Sequence, residues 1–397
     1  MPRSTMPLWV LIACFLASCT EHETPSELYF EELPSPAAPG SGMPEFAVTP
    51  SGTVYLSWLE PGREKAHAFR LARLGDTGVA TKTIAEGDSW FVNWADFPTI
   101  MAWSDTALAA HFLTLNGASA YAYDVRVTQS RDGGSSWTTP IKPHRDNTQN
   151  EHGFVSLVPW KDDAVLVAWL DGRTYPDLQE MTLRSAVLDA TGAITNETLL
   201  DARVCDCCQT SAAKTATGTV LAYRDRSEDE IRDIAVIRID DSGPSEPTIV
   251  ATDGWRITGC PVNGPAVSAQ GQQVAVAWYT EAGDQPRVHV ALSSNEARTF
   301  GPALRADDGN AIGRVDVAVD LEGYTHVSWV ERTEDGAVIR LRRFDQAGSP
   351  MDVTTVVATS AERASGFPRL AVGSGEVYVA WTDAHASPSQ VRITRAR

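Results

Sequence analysis

Positive charge is scarce in this sequence, and so are thiols and long apolar runs. Its 397 residues carry 33 Lys and Arg against 51 Asp and Glu, a formal net charge of -18. A surplus of anions repels nucleic acid and anionic lipid surfaces, which argues against both as partners. Beyond the first residues no apolar run reaches membrane-spanning length. Cysteine occurs only six times, yet three of the six crowd into Arg203-Val204-Cys205-Asp206-Cys207-Cys208. What such a cluster can do depends on compartment and fold.

The chain opens MPRSTMPLWVLIACFLASCT, with Arg3 ahead of an apolar run from Pro7 to Ala17. That run is too short for a mature spanning helix and reads as a targeting segment. Leu16-Ala17-Ser18-Cys19 resembles the lipobox of bacterial lipoproteins, where cleavage leaves a lipid-bearing cysteine. The resemblance implies a signal peptide over residues 1–18, lipidation of Cys19, and a place in the bacterial cell envelope, periplasmic side or cell surface. An ordinary secretory signal would also put the chain outside the cytoplasm. Residues 19–27 are too polar to pack a core and read as a tether. With Cys14 in the signal and Cys19 on lipid, Cys205, Cys207, Cys208 and Cys260 remain, and in an oxidising envelope they default to disulfides.

From residue 28 to 397 one pattern recurs: a small or turn residue, an apolar strand, a Gly or Asp turn, then a strand ending in a ring. The closing rings are Trp58, His111, Trp169, Tyr223, Trp278, Trp329 and Trp381, 51 to 58 residues apart. Further alternating strands complete each unit, and four strands in such a span make a propeller blade. The expectation is an all-β, seven-bladed β-propeller of four-stranded antiparallel blades in a single domain, with a six-bladed ring as the alternative. The last unit ends after its third strand. Leu28 to Leu33 is the apolar stretch available to supply the fourth and close the ring.

Ser130-Arg131-Asp132-Gly133-Gly134-Ser135-Ser136-Trp137 fits the pattern S-x-D-x-G-x-x-W, in which Ser130, Asp132, Gly134 and Trp137 serve the turn itself. Ser293 to Phe300 is a degenerate second copy. The pattern resembles the Asp-box of sialidases and related propellers with bacterial neuraminidase repeats. The resemblance implies a functional face opposite these turns, built from loops that lead into inner strands and loops that join second to third strands.

Cys205 and Cys260 each stand 18 residues before their closing ring, so they are expected within bridging distance on that face, with Cys205 or Cys207 as the disulfide partner open to Cys260. His152 stands 17 before its own, while Cys208 and Asn263 both stand 15 before theirs. Soft thiolates with an imidazole suit Cu or Zn, so the four cysteines with His152 are either a metal site or disulfides. Charged second-to-third-strand loops add Arg173, Arg224, Asp225, Arg226, Glu230 and Arg232 as ligand-binding candidates, joined by Asn263 and Arg314. Hydrolysis of the sialidase type would use arginines such as Arg173, Arg224, Arg314 and Arg369 to hold a substrate carboxylate, the pair Tyr279 and Glu281 for attack, and Asp171 as acid. The family's Phe/Tyr-Arg-Ile/Leu-Pro signature is missing; Gly42-Met43-Pro44-Glu45 stands in its place. The sequence thus favours a ligand-binding module for a small molecule, glycan or protein, with an exo-glycosidase or an interaction scaffold as alternatives.

Overall fold

Each sequence unit folds into its own antiparallel sheet, and seven sheets form the ring, not six. The structure, a computed structural model, describes residue 1, residues 28–75 and residues 80–397. Cys19, the tether and all but the first residue of the signal segment lie outside the described residues. Blades 1 to 7 are built outward from inner strands at Gly42–Val48, Thr99–Ala102, His152–Pro159, Ser211–Lys214, Ala266–Gln270, Ala311–Val319 and Arg369–Gly373. In blade 2 the fourth place is held by a bridge from Ile141 to Val127, and blade 4 gains a short extra strand at Gly243–Pro244. Phe30–Leu33 pairs with Gln390–Ala396, Phe30 opposite Ala396 and Leu33 opposite Ile393, so the N-terminal strand closes the ring and covers the edge of blade 7.

The closing rings fill the space between blades. Trp58, Trp169, Trp278 and Trp329 are fully buried, and each indole N–H has an acceptor. In three blades that acceptor is the carboxylate two residues on: Glu60 at 2.8 Å, Asp171 at 2.7 Å and Glu331 at 3.2 Å. An arginine locks the carboxylate in turn: Arg70 on Glu60, Arg173 on Asp171, Arg340 on Glu331. An unpartnered buried N–H would cost ~1–3 kcal/mol, so the spacing Trp-x-Asp/Glu is a packing device.

Neighbouring blades are tied at their inner strands by side chains that accept from the next blade's backbone. Asp96 takes the N–H of Phe154 (2.8 Å), Gln209 that of Gly264 (3.0 Å), Asn263 that of Arg314 (2.7 Å) and Asp316 that of Leu370 (2.9 Å). The approach is close enough to demand glycine. A Cβ on Gly153 would lie 2.0 Å from the Asp96 carboxylate, and one on Gly313 would lie 2.3 Å from Asn263 Oδ1. Phe154 and Arg314, the residues after these glycines, take left-handed φ of 52° and 55°. Strain of this kind persists only where surrounding contacts hold it.

Since successive strands reverse direction, the turns after third strands gather at the end opposite the lead-in loops. The Ser130 turn lies there: Asp132 accepts from the Ser135 and Ser136 N–H groups at 2.9 and 2.8 Å, Ser130 Oγ accepts from Gly134, and Trp137 packs on the core between blades 1 and 2. Asn295 repeats the arrangement in blade 5, accepting from the Thr299 N–H at 3.0 Å while Ser293 Oγ takes that of Ala297. The turns satisfy their own backbones and leave the chemistry to the other end.

Candidate functional site

Four cysteines meet between blades 4 and 5. Cys207 and Cys260 form a disulfide across the two lead-in loops, Cα atoms 6.0 Å apart. Cys205 and Cys208 are free thiols, 1% and 2% exposed, with sulfurs 3.0 Å apart. Equal offsets bring the two loops together, and of the two partners considered for Cys260, Cys205 and Cys207, it is Cys207 that bridges. The Cys205 N–H is held by the Arg224 carbonyl at 3.0 Å, which turns Cys205 inward, whereas Cys207 follows on the turn and reaches the exposed Cys260.

Charge around the free pair is one-sided. Arg232, itself 2% exposed, donates to Cys205 Sγ at 3.3 Å, and Arg224 lies behind. Burial alone would raise the Cys205 pKa, but the Cys208 S–H, Arg224, the Cys207 backbone N–H and Arg232 together pull it down to about 6. Burial and the neighbouring Cys205 sulfur push Cys208 the other way, well above the ordinary thiol range. The two shifts run in opposite directions, so Cys205 is the more acidic sulfur of the pair.

A lattice of ion pairs roofs the pair. Arg226 binds Glu230 at 2.9 Å and Asp206 at 3.0 Å, Arg232 binds Glu230 at 2.8 Å, and Arg203 binds Glu230 at 3.2 Å and Glu180 at 3.3 Å. Of the loop residues singled out in sequence, Arg226, Glu230 and Arg232 are thus brought onto the cysteines. Asp225 stands partly buried on the same loop, its carboxyl raised by burial and by Asp201 and Asp233.

Other candidates are committed elsewhere. The Arg224 guanidinium, 2% exposed, donates to the carbonyls of Arg232, Asn263 and Tyr279 at 2.7–3.0 Å and stacks 4.9 Å from Trp255. Arg314 is held by Ser365 Oγ and the carbonyls of Ala361 and Glu362, over Trp94. Asn263 spends its amide on the inter-blade tie and on the Pro261 and Ile312 carbonyls. Asp171 is fully buried, with one oxygen on the Trp169 indole and both on Arg173. Tyr279 packs edge-on to Trp255, and burial followed by the negative charge of the exposed Glu281 pushes its phenol to about 12.

His152 stands apart from the thiols. It lies in a buried group with His144, Asp146 and Asp171, its Nε2 3.2 Å from Asp146 and its Nδ1 on the Tyr123 and Asn150 carbonyls. The two imidazoles stack face to face, centroids 3.7 Å apart and planes 6° from parallel. Lone pairs lie in the ring planes, so parallel stacked rings do not aim at one ion. With Cys207 in a disulfide and His152 elsewhere, the thiol group offers a metal two sulfurs. That suits a soft monovalent ion such as Cu(I) and falls short of tetrahedral Zn(II).

Of the groups at the axis, sequence reasoning singled out Arg369 and missed its partners. A cavity of about 50 Å³ there is lined by Glu45, Asp96, Gln209 and Arg369 beneath a plug of Trp94, Phe97 and Phe367. Arg369 binds Glu45 at 3.0 Å and Asp316 at 3.3 Å. On the far wall the Tyr123 hydroxyl lies 2.9 Å from Asp96 and 2.8 Å from Glu151. One hydroxyl proton serves one acceptor, so the second contact calls for a protonated carboxyl, and burial raises Glu45, Asp96 and Glu151 each to about 7. Ligand pockets run to roughly 300–1,000 Å³, so the axis has room for water and none for a sugar ring.

No family model and no curated protein matches the chain. Solved structures do match in fold. The α-L-arabinofuranosidase Arb93A from Fusarium graminearum, solved with an iminosugar inhibitor, shares 11% identity over 90% of this chain and 93% of its own, TM-score 0.51. The polysaccharide lyase Uly1 shares 8% over 87% of this chain and 88% of its own, TM-score 0.50. A NanB sialidase from Streptococcus pneumoniae shares 8% over 87% and 83%, TM-score 0.48. The neighbours thus include an arabinofuranosidase and a sialidase, all on β-propellers, and at such identities the likeness defines the fold alone.

Proposed function

We propose that the chain works at the bacterial cell envelope, tethered through a lipid on Cys19, as a ligand-binding propeller whose site is the cysteine face between blades 4 and 5. One observation carries the reading: two buried free cysteines sit with sulfurs 3.0 Å apart beneath a buried arginine that donates to one of them, at the end where lead-in loops converge. Buried charge of this kind needs a reason beyond packing, because two apolar residues would fill the space without a desolvation cost. The pair suits a soft cation, Cu(I) before Zn(II), or a thiol-reactive group on a small molecule, glycan or protein. The test uses a soluble chain beginning at residue 28, exposed anaerobically to Cu(I) or Zn(II), desalted and analysed for metal and free thiols. One Cu(I) per chain, absent from Cys205→Ser and Cys208→Ser, is expected; free thiols that retain no metal remove the soft-cation reading.

A second reading, an exo-glycosidase of the sialidase type, draws on the charge of Glu281 acting on the Tyr279 phenol. Against it, Asp171 is saturated by the same indole and arginine contacts that recur in other blades. Turnover of a fluorogenic sialoside lost in Glu281→Gln would move the assignment to this pair.

A further inference from the structure

Two thiols lie beside a disulfide in one group, with the sulfurs of Cys205, Cys207 and Cys208 all within 4.8 Å of one another. Cys205 and Cys208 are buried, while Cys260, the far end of the disulfide, is exposed. Thiol–disulfide exchange needs an attacking sulfur within reach of a disulfide sulfur, and this group holds both. We propose that the disulfide moves within this group, from Cys207–Cys260 to Cys205–Cys208, delivering two thiols to the surface side.

The transfer takes two exchanges. In the first, the Cys205 thiolate attacks Cys207 Sγ; a Cys205–Cys207 bond forms, the Cys207–Cys260 bond breaks, and its electron pair leaves on Cys260. In the second, the Cys208 sulfur, 3.0 Å from Cys205, attacks Cys205 Sγ; a Cys205–Cys208 bond forms and Cys207 leaves as thiolate. The Cys208 proton passes to a departing sulfur. One disulfide and two thiols stand on each side of the equation, so no outside oxidant or reductant enters.

The surroundings favour each step. Attack needs a thiolate within reach of the disulfide, and Cys205 Sγ lies within 4.8 Å of Cys207 Sγ while Arg232 donates to it at 3.3 Å, a contact that favours its anionic form. Departure is easiest where water receives the charge, and Cys260 is the exposed residue of the group. The product also unties two loops, because Cys207–Cys260 is the covalent link between the lead-ins of blades 4 and 5. Closing Cys205–Cys208 withdraws both free sulfurs, so the same move switches off the soft-cation site. The inference shares its cysteines with the proposed site and needs no ligand: a chain that exchanges but retains no metal fails only the earlier reading.

The experiment follows Cys260. The soluble chain is poised in glutathione buffer to hold one disulfide per molecule, freed of glutathione by gel filtration, and incubated folded with a maleimide; aliquots are acid-quenched and their disulfides mapped by mass spectrometry. Time-dependent labelling of Cys260 with a Cys205–Cys208 disulfide is expected. In Cys205→Ser the labelling rate falls at least about tenfold, since the attacking thiolate is gone. In Cys208→Ser the first exchange proceeds and the second cannot, so a Cys205–Cys207 disulfide accumulates with Cys260 labelled. Should Cys205→Ser lose its native circular dichroism, the Cys208→Ser product decides alone. Wild-type protein in which Cys260 stays unlabelled, while Cys205 and Cys208 count as free thiols after unfolding, overturns the proposal.

Discussion

Arg224 separates a binding arginine from a structural one. Its guanidinium satisfies the carbonyls of Arg232, Asn263 and Tyr279, drawn from blades 4 and 5 and the loop between them, and is itself only 2% exposed. In Arg224→Ala three carbonyls lose a donor at once. A buried polar group left unmatched costs about 1–3 kcal/mol, so the sum is about 3–5 kcal/mol once water enters the truncated site. Arg224→Lys keeps the charge and reaches one or two of the carbonyls, and should lose about half as much. The assay is urea unfolding under non-reducing conditions, read by circular dichroism, with the midpoint shifted and the slope unchanged. Because Arg224 also lowers the Cys205 pKa, the pH midpoint for Cys205 alkylation should rise from about 6 in the same variant. An Arg224→Ala protein within ~1 kcal/mol of wild type would refute the structural assignment and return Arg224 to the binding face.

Asp96 predicts a pH signature. Its folded pKa is raised from 3.8 to about 7 by burial, so between those values the folded state binds more protons than the unfolded, and the Asp96 contribution to stability falls as pH rises. Asp96→Asn should therefore gain on wild type in unfolding experiments from pH 4 to 7 and level off above; a flat difference would sink the assignment. Gly313→Ala, with its Cβ 2.3 Å from Asn263 Oδ1 and φ of 94°, should cost about 2–4 kcal/mol in urea melts. Gly192→Ala, with φ of 86° but open space around it, should cost only ~1 kcal/mol, and equal losses at the two sites would remove the argument from close approach. A chain starting at residue 34 lacks the strand Phe30–Leu33 and bares the edge at Gln390–Ala396; it should melt lower and associate in sedimentation velocity, and a monomer of unchanged stability would contradict closure by that strand.

The ring was legible because its signal is redundant. A buried aromatic in each blade sits at one register, so seven rings spaced by 51 to 58 residues report the same packing decision repeatedly. The closing strand followed from a deficit, a last unit one strand short beside an apolar stretch with no other place. Side-chain commitments left a weaker trace. Asp171 and Arg173 look like an acid and a cation in a loop, and only comparison with Glu60 and Arg70, or Glu331 and Arg340, reveals the indole clamp they form. Asp96 escaped notice although it stands 15 residues before His111, as Asn263 stands 15 before Trp278; the shared acceptor at that place was the available clue. Register told which loops meet between blades 4 and 5, but the pairing partner depended on a backbone bond from Cys205 to Arg224 that no spacing encodes.

These commitments bear on where the chemistry can be. Around the axis the ionisable groups are already matched: Glu45 and Asp316 on Arg369, Asp96 and Glu151 on Tyr123, with three rings closing the top. Each match makes the ring stiffer and its centre less available, since opening the axis to a ligand would expose an apolar plug and break buried ion pairs together. The cysteine group differs in kind. Its Cys205 sulfur accepts from Arg232 but is bonded to no partner sulfur, and its neighbouring sulfurs are within reach of attack. A propeller that has filled its own centre keeps its unspent reactivity at the seam between two blades, where a bond can change partners without the ring coming apart.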